Sequence, residues 1–156
     1  MLYPVFLALQ KRDWFTTLDK RMQLLCPECP LTPPLASENL FWNIQDKPLA
    51  FKMMVIKSVC NSWITSTRFH ESVILPCVFG CNFLGPRPPH DHAGDTVYHY
   101  LRCPQLWDIL AKATQQYIPE TPQYRLGLSA MADCSFIVLA HHVYHSIKNK
   151  LVTGMG

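Results

Sequence analysis

Apolar residues recur along the chain at the spacing of amphipathic helices. In residues 3–25 they return every three or four positions, which places them on one face of a helix. A second apolar stripe runs through a long helix predicted over residues 48–66. Further helices are predicted over residues 104–116 and 129–150. The pattern therefore predicts an all-α fold.

Prolines divide this helical pattern into short parts, because a proline inside a helix removes a hydrogen bond and clashes with the preceding turn. Residues 1–30 hold the first helix, and residues 31–46 hold a Pro-rich linker followed by a short helix over 38–45. Residues 47–120 hold the long helix and a region rich in cysteine and histidine. Residues 121–156 hold the closing helix. Ser37 is the predicted N-cap of the short helix.

Composition narrows the class of protein. Of the 156 residues, 49% are apolar and 16% charged, which excludes a disordered polar tail. The formal charge of +3 permits contact with nucleic acid without arguing for it. Seven cysteines with no signal peptide ahead of them predict a reducing compartment, where clustered cysteines bind metals. No stretch reaches the ~18–20 apolar residues of a membrane span. We expect a soluble intracellular protein, nuclear or cytoplasmic.

Three cysteines and one histidine follow the spacing C-x3-C-x17-H-x3-C. These are Cys77, Cys81, His99 and Cys103. Structural zinc is held by four such ligands in a tetrahedron. Gly80 tolerates the positive φ of a tight knuckle between the first two cysteines. A short helix that begins at Thr96 and is capped by Asp95 would place His99 and Cys103 one turn apart on one face.

Spacing alone leaves two interpretations equally open, a zinc site or three buried thiols with an ordinary helix histidine. The fourth ligand is open as well, because His90 and His92 lie in the Pro-rich insert 82–98. We favour His99, since its relation to Cys103 fixes both side chains on one rigid element, whereas the other two histidines hang in a loop.

The flanks of this cluster carry a resemblance to a known family. They read TSTRFHE at 65–71, LPCVFGC at 75–81 and HYLRCPQLW at 99–107. This run resembles the segment that follows the polymerase core in reverse-transcriptase-like proteins of non-LTR retrotransposons, where a similar run forms a small zinc-knuckle region. The resemblance covers roughly residues 47–150. The insert 82–98 departs from it by being longer and richer in proline.

The resemblance implies a structural zinc on the four ligands and makes the helix after Pro48 a thumb-like element beside template and primer. No acidic residue lies between Asp46 and Glu71, so this helix carries unopposed positive charge. An ordinary solvated face explains the same charges, and the family position favours contact. The predicted nucleic-acid-binding residues are Lys52, Lys57, Trp63, Arg68, Arg87 and Arg102.

Catalysis is not predicted. The chain has no Gly-rich phosphate loop and no G-x-S-x-G motif, and its acids are scattered singly rather than paired to hold two metal ions. The expected function is a non-catalytic, nucleic-acid-binding remnant of a retroelement reverse transcriptase, with RNA or DNA as partner and neither a membrane nor a small-molecule substrate. The oligomeric state stays open.

Two other function classes remain. One is a protein-interaction or purely structural helical module, which includes a decayed fragment without activity. The other is a thiol redox protein built on Cys26 and Cys29, which requires a low thiol pKa at one of them.

Two histidines of the closing helix, His141 and His145, have helical i,i+4 spacing and could bind a metal ion, but no third ligand or catalytic glutamate accompanies them. We expect these two histidines to lie at the core edge or on the surface.

Overall fold

A computed structural model describes residues 11–66, 75–81 and 94–154, and within these ranges it contains helices and no strand. The helices are α1 (Lys11–Leu25), α2 (Pro33–Ile44), α3 (Leu49–Val59), α4 (Val97–Tyr100), α5 (Pro104–Thr114), α6 (Pro122–Arg125) and α7 (Ser135–Gly154). At this level the all-α prediction is confirmed, while the four-part division of the chain stays a prediction. No helix in the described ranges combines the length and the apolar character that a membrane crossing requires.

The helices pack around one hydrophobic core. α1 lies against α2 and α4, and α7 lies against α3 and α5. The apolar stripe predicted for the first helix is buried at Leu18, Met22 and Leu25, while residues 3–10 of that prediction lie outside the described part. The largest fully buried side chains are Trp63, Tyr100 and Tyr144. The centre of the core therefore lies between the end of α3, α4 and α7.

The short helix predicted over residues 38–45 begins earlier than expected, because α2 already starts at Pro33, within the predicted Pro-rich linker. Proline fits the first helical turn, where its missing N–H would have no partner and its fixed φ matches the helix. Thr32 is the extended residue before the helix, so Ser37 is not the cap. Instead, the Ser37 hydroxyl accepts a hydrogen bond from the Trp14 indole at 2.9 Å.

The helix predicted over 48–66 is also too long. α3 ends at Val59, and Asn61 adopts a left-handed conformation with φ 56°. The Ser62 N–H bonds back to the Lys57 carbonyl at 2.8 Å, which closes the helix end. The reversal turns Trp63 into the core, where its indole donates to the Ser58 hydroxyl at 2.9 Å. The last helix likewise begins later than predicted, at Ser135 rather than near residue 129.

A buried ion pair joins the C-terminal half of α7 to the residues before α4. Lys148 Nζ lies 2.5 Å from Asp95 Oδ2, and the Asp95 side chain is fully buried. The same carboxylate accepts hydrogen bonds from the Ser66 N–H and hydroxyl and from the Tyr100 and Tyr144 hydroxyls. Asp95 is thus not the helix cap that the sequence predicted. Because each carboxylate oxygen has at least two donors, the buried charge is well compensated.

Replacing Asp95 with alanine tests this ion pair. Asp95→Ala should lower the free energy of unfolding by about 3–5 kcal/mol, because it removes the carboxylate that neutralises the buried Lys148 ammonium and leaves that ammonium with the Ile64 carbonyl at 2.6 Å. Urea unfolding measures the change. The double variant Asp95→Ala/Lys148→Met is the control and should recover much of the loss. A double variant as unstable as the single one would show that the pairing itself is unimportant.

The pair also predicts a pH dependence. Burial raises the pKa of Asp95, but the hydrogen bonds from Lys148, Ser66 and Tyr100 outweigh it and hold this pKa below its ordinary 3.8. A carboxyl whose pKa is lowered by folding stabilises the fold above its unfolded pKa and loses that contribution as the pH falls through the folded pKa. The difference in unfolding free energy between the wild type and Asp95→Asn should therefore be constant at neutral pH and shrink below about pH 4. A difference unchanged at acid pH would contradict this assignment.

Candidate metal centre

A tight turn from Cys77 to Cys81 presents two thiols to the same space. The Gly80 N–H donates to the Cys77 carbonyl at 3.0 Å, and Gly80 has φ +67°, the left-handed conformation that glycine adopts without strain. The Phe79 N–H lies 3.4 Å from the Cys77 sulfur. The predicted role of Gly80 in this turn is confirmed.

The other two residues come from consecutive short helices. Thr96 caps α4, since its hydroxyl accepts the His99 N–H at 3.0 Å, and His99 lies within this helix. Cys103 is extended, with φ −64° and ψ 110°, directly before Pro104 opens α5. The prediction of one continuous helix carrying both residues is wrong, because a residue before proline avoids the helical conformation. The turn between the helices nevertheless brings Cys103 beside His99.

The four ligand atoms meet at distances that suit one metal ion. Cys103 Sγ lies 3.7 Å from Cys77 Sγ and 3.6 Å from Cys81 Sγ, and Cys81 Sγ lies 3.0 Å from His99 Nε2. All four atoms lie within 4.8 Å of one another. In a tetrahedral zinc site with Zn–S near 2.3 Å, sulfur atoms are about 3.8 Å apart. The cluster can therefore hold a metal ion.

Hydrogen bonding favours a thiolate at Cys77, and burial opposes it. Cys77, His99 and Cys103 are buried, and Cys81 is half-buried. The hydrogen bond from the Cys103 thiol, opposed by burial and aided by His99 and two backbone N–H groups, lowers the pKa of Cys77 to about 4. The same bond, with burial, raises the pKa of Cys103. A bound metal ion would displace the proton that this pair shares, because the thiolate is the form that binds metal.

Aromatic residues and a buried arginine hold the backbone around the cluster. Trp107 Nε1 donates to the Tyr100 carbonyl at 2.7 Å, so Trp107 packs beside this region. Arg125 lies over the Trp107 ring at 4.3 Å and donates to the Leu101 carbonyl at 2.6 Å. It thereby fixes the turn that leads into Cys103. Sequence reasoning missed Arg125, because a lone arginine after a proline break gives no sign of burial.

The predicted nucleic-acid-binding residues separate into different environments. On α3, Lys57 is exposed and Lys52 is half-exposed, and neither forms an ion pair with a described carboxylate. Trp63 is 1% exposed and stacks on Tyr144 with ring centroids 5.2 Å apart. Stacking on a base needs an open ring face, so this burial does not fit the nucleic-acid contact predicted for Trp63. The predictions for Arg68 and Arg87 lie outside the described residues.

The Arg102 side chain binds other residues of the same chain rather than facing solvent, where a nucleic acid could contact it. Its guanidinium donates to the Leu25 carbonyl at 2.9 Å and to Glu28 at 2.6 Å, and it lies over the Tyr98 ring at 3.7 Å. Its side chain is 15% exposed. This position ties the end of α1 to α4 and leaves little of the guanidinium for a phosphate, so the predicted role of Arg102 does not fit the structure.

The Cys26–Cys29 pair forms a turn without further ligands. The Cys29 N–H donates to the Cys26 carbonyl at 2.9 Å, and Cys26 is buried. Burial, with Cys29 and Glu28 nearby, raises the pKa of Cys26 to about 12, opposite to what a reactive thiol there requires. Among the described residues, no group of three or more metal-ligating side chains forms around this pair.

Comparisons with protein-family models, with curated proteins and with solved structures found no match to this chain. The resemblance to retrotransposon reverse-transcriptase-like proteins therefore rests on the quoted residues alone.

Two cysteine variants test the metal centre. Cys103→Ser should abolish binding of one equivalent of zinc and destabilise the fold, because it removes a buried ligand. Cys134→Ser is the matched control, since Cys134 is equally buried but lies outside the cluster. Metal content of the purified proteins gives the result. Equal zinc in both variants, or none in the wild type, would exclude this cluster as the site.

Proposed function

We propose that the chain is a non-catalytic nucleic-acid-binding module folded around one structural zinc ion, and that its zinc knuckle consists of Cys77, Cys81, His99 and Cys103. The observation that carries the proposal is the meeting of these four ligand atoms within 4.8 Å. The quoted resemblance supports its origin in a retroelement reverse transcriptase without the polymerase core.

The donor set supports zinc. Three thiols and one imidazole are soft and borderline ligands, which suit zinc and are unsuited to calcium or magnesium. Four protein ligands complete a tetrahedron and leave no position for a reacting water, so the ion would serve the fold rather than a reaction. Short elements gain most from such an ion, because a helix of one turn such as α4 is unstable by itself.

The surface of α3 supports the nucleic-acid part of the proposal. Lys52 and Lys57 lie five positions apart on a helix without an acidic residue, and the exposed Lys47 precedes it. Ammonium groups that form no ion pair with a described carboxylate can neutralise neighbouring phosphates and release their counterions. With Trp63 buried, this surface has charge but lacks the stacking residue that the sequence predicted, which favours phosphate contact over recognition of bases.

A protein-interaction module is the second candidate, favoured by apolar side chains that α2 and α3 leave in solvent. Trp42 is 59% exposed and Leu49 is 65% exposed, and Phe41 packs edge-on against Trp42 with ring centroids 5.5 Å apart. Large exposed aromatic residues are enriched in protein interfaces. Binding through these residues would depend little on salt.

Salt dependence separates the two candidates. Zinc-loaded protein should bind labelled single-stranded RNA or DNA with an affinity that falls steeply between about 50 and 200 mM salt. The variant Lys52→Gln/Lys57→Gln should bind more weakly at every salt concentration, and its salt slope should be shallower by about one per lost phosphate contact. Fluorescence anisotropy measures both quantities.

Lys112→Gln is the matched control, because Lys112 is an exposed helical lysine paired with Asp108 at 2.7 Å. It should change neither affinity nor slope. A folded, zinc-loaded wild type that binds no nucleic acid at low salt would overturn the nucleic-acid proposal and leave the apolar surface as the candidate. Equal losses in the Lys52/Lys57 and Lys112 variants would show that the contact is unspecific.

A further inference from the structure

The histidine pair on α7 has a geometry that its sequence spacing did not reveal. The rings of His141 and His145 lie one helical turn apart, with centroids at 3.9 Å and planes inclined by 34°. Both rings meet Trp63 edge-on, at 5.5 Å and 6.2 Å. Neither histidine belongs to the candidate metal centre, which consists of Cys77, Cys81, His99 and Cys103. The two imidazoles are therefore held side by side by the core.

On each ring, one nitrogen has no hydrogen-bond partner among the described residues. His145 Nδ1 lies 2.9 Å from the His141 carbonyl oxygen, so Nδ1 carries the proton and Nε2 carries the lone pair. A backbone hydrogen bond of this kind is the usual support of a metal-binding histidine. His141 has a buried Nδ1 without a hydrogen-bond partner among the described residues, so no hydrogen bond there fixes its tautomer.

The pair is also in the protonation state that binds metal. Burial, with His145, His142 and Lys57 nearby, lowers the pKa of His141 to about 4. Burial lowers the pKa of His145 as well, and Lys148 adds to this effect while Asp95 opposes it. Both rings are therefore neutral at pH 7. The nearby ammonium groups repel a cation too, so we expect a modest affinity.

We propose that His141 and His145 form a second metal site, which binds one divalent transition-metal ion of the class that prefers imidazole, such as Ni²⁺, through one nitrogen of each ring. Neighbouring turns of a helix present side chains at i and i+4 to one ligand, and water completes the coordination. The site shares no ligand with the proposed zinc centre, and Lys57, which we propose contacts nucleic acid, lies near His141. Because Trp63 contacts both rings, the bound ion should quench its fluorescence.

The test uses zinc-loaded protein titrated with Ni²⁺, followed by calorimetry and tryptophan fluorescence. His141→Ala and His145→Ala should each weaken Ni²⁺ binding roughly 100-fold, because a two-point ligand loses its second contact. His142→Ala is the matched control, since His142 is the exposed neighbour on the same helix, and it should bind as the wild type does. Trp63→Phe should keep the heat of binding and lose most of the quenching.

Several results would overturn the proposal. Unchanged Ni²⁺ affinity in His141→Ala/His145→Ala would place the ion elsewhere, and an equal loss in His142→Ala would remove the distinction between the pair and its neighbour. A wild type that binds no Ni²⁺ at millimolar concentration would exclude the site. If the alanine variants do not fold, paramagnetic broadening of histidine NMR signals in the wild type decides. Broadening must then begin at His141 and His145.

Discussion

The buried carboxylate of Asp95 connects three parts of the chain that are distant in sequence. It binds Lys148 from α7, Ser66 from the segment after α3, and Tyr100 from α4. A fully buried charge is costly unless each of its oxygens is paired, so this arrangement tolerates little displacement of any of its partners. Ser66 and Asp95 lie next to the two parts of the chain that lead into the metal cluster, and the carboxylate thus fixes the frame in which the thiols meet.

Tyr100 links this ion pair to the candidate metal centre. Its hydroxyl donates to Asp95 and accepts the Val78 N–H from the turn between Cys77 and Cys81. His99 is the neighbouring residue on the same single-turn helix, so the orientation of α4 serves the carboxylate on one side and the proposed ion on the other. A helix of this length is not stable alone, and it depends on both. Metal binding and closure of the α7 contact are therefore expected to support each other.

The sequence was sufficient for the existence of the larger helices and for the grouping of Cys77, Cys81, His99 and Cys103, but not for helix ends or burial. Periodicity locates α1, α3, α5 and α7 because each buries one face. It cannot show that Asn61 turns left-handed or that Cys103 leaves the helix before Pro104. Trp63 and Arg102 were assigned to a nucleic-acid partner because Tyr144, on which Trp63 stacks, and Leu25, to which Arg102 donates, are remote in sequence. Arg102, for example, bonds to the Leu25 carbonyl, 77 residues away.

The histidines show why ligand counting along a sequence is an incomplete guide. His99 is found by counting, since it stands at ligand spacing from Cys103 and the other thiols complete the set. The same search along the sequence passes over His141 and His145, because no third ligand stands at a suitable spacing from these two histidines. What distinguishes them is tertiary: Trp63 confines the rings, and burial keeps them neutral. Because both side chains are already ordered by the core, they lose little conformational entropy when they bind an ion, and water can supply the remaining ligands.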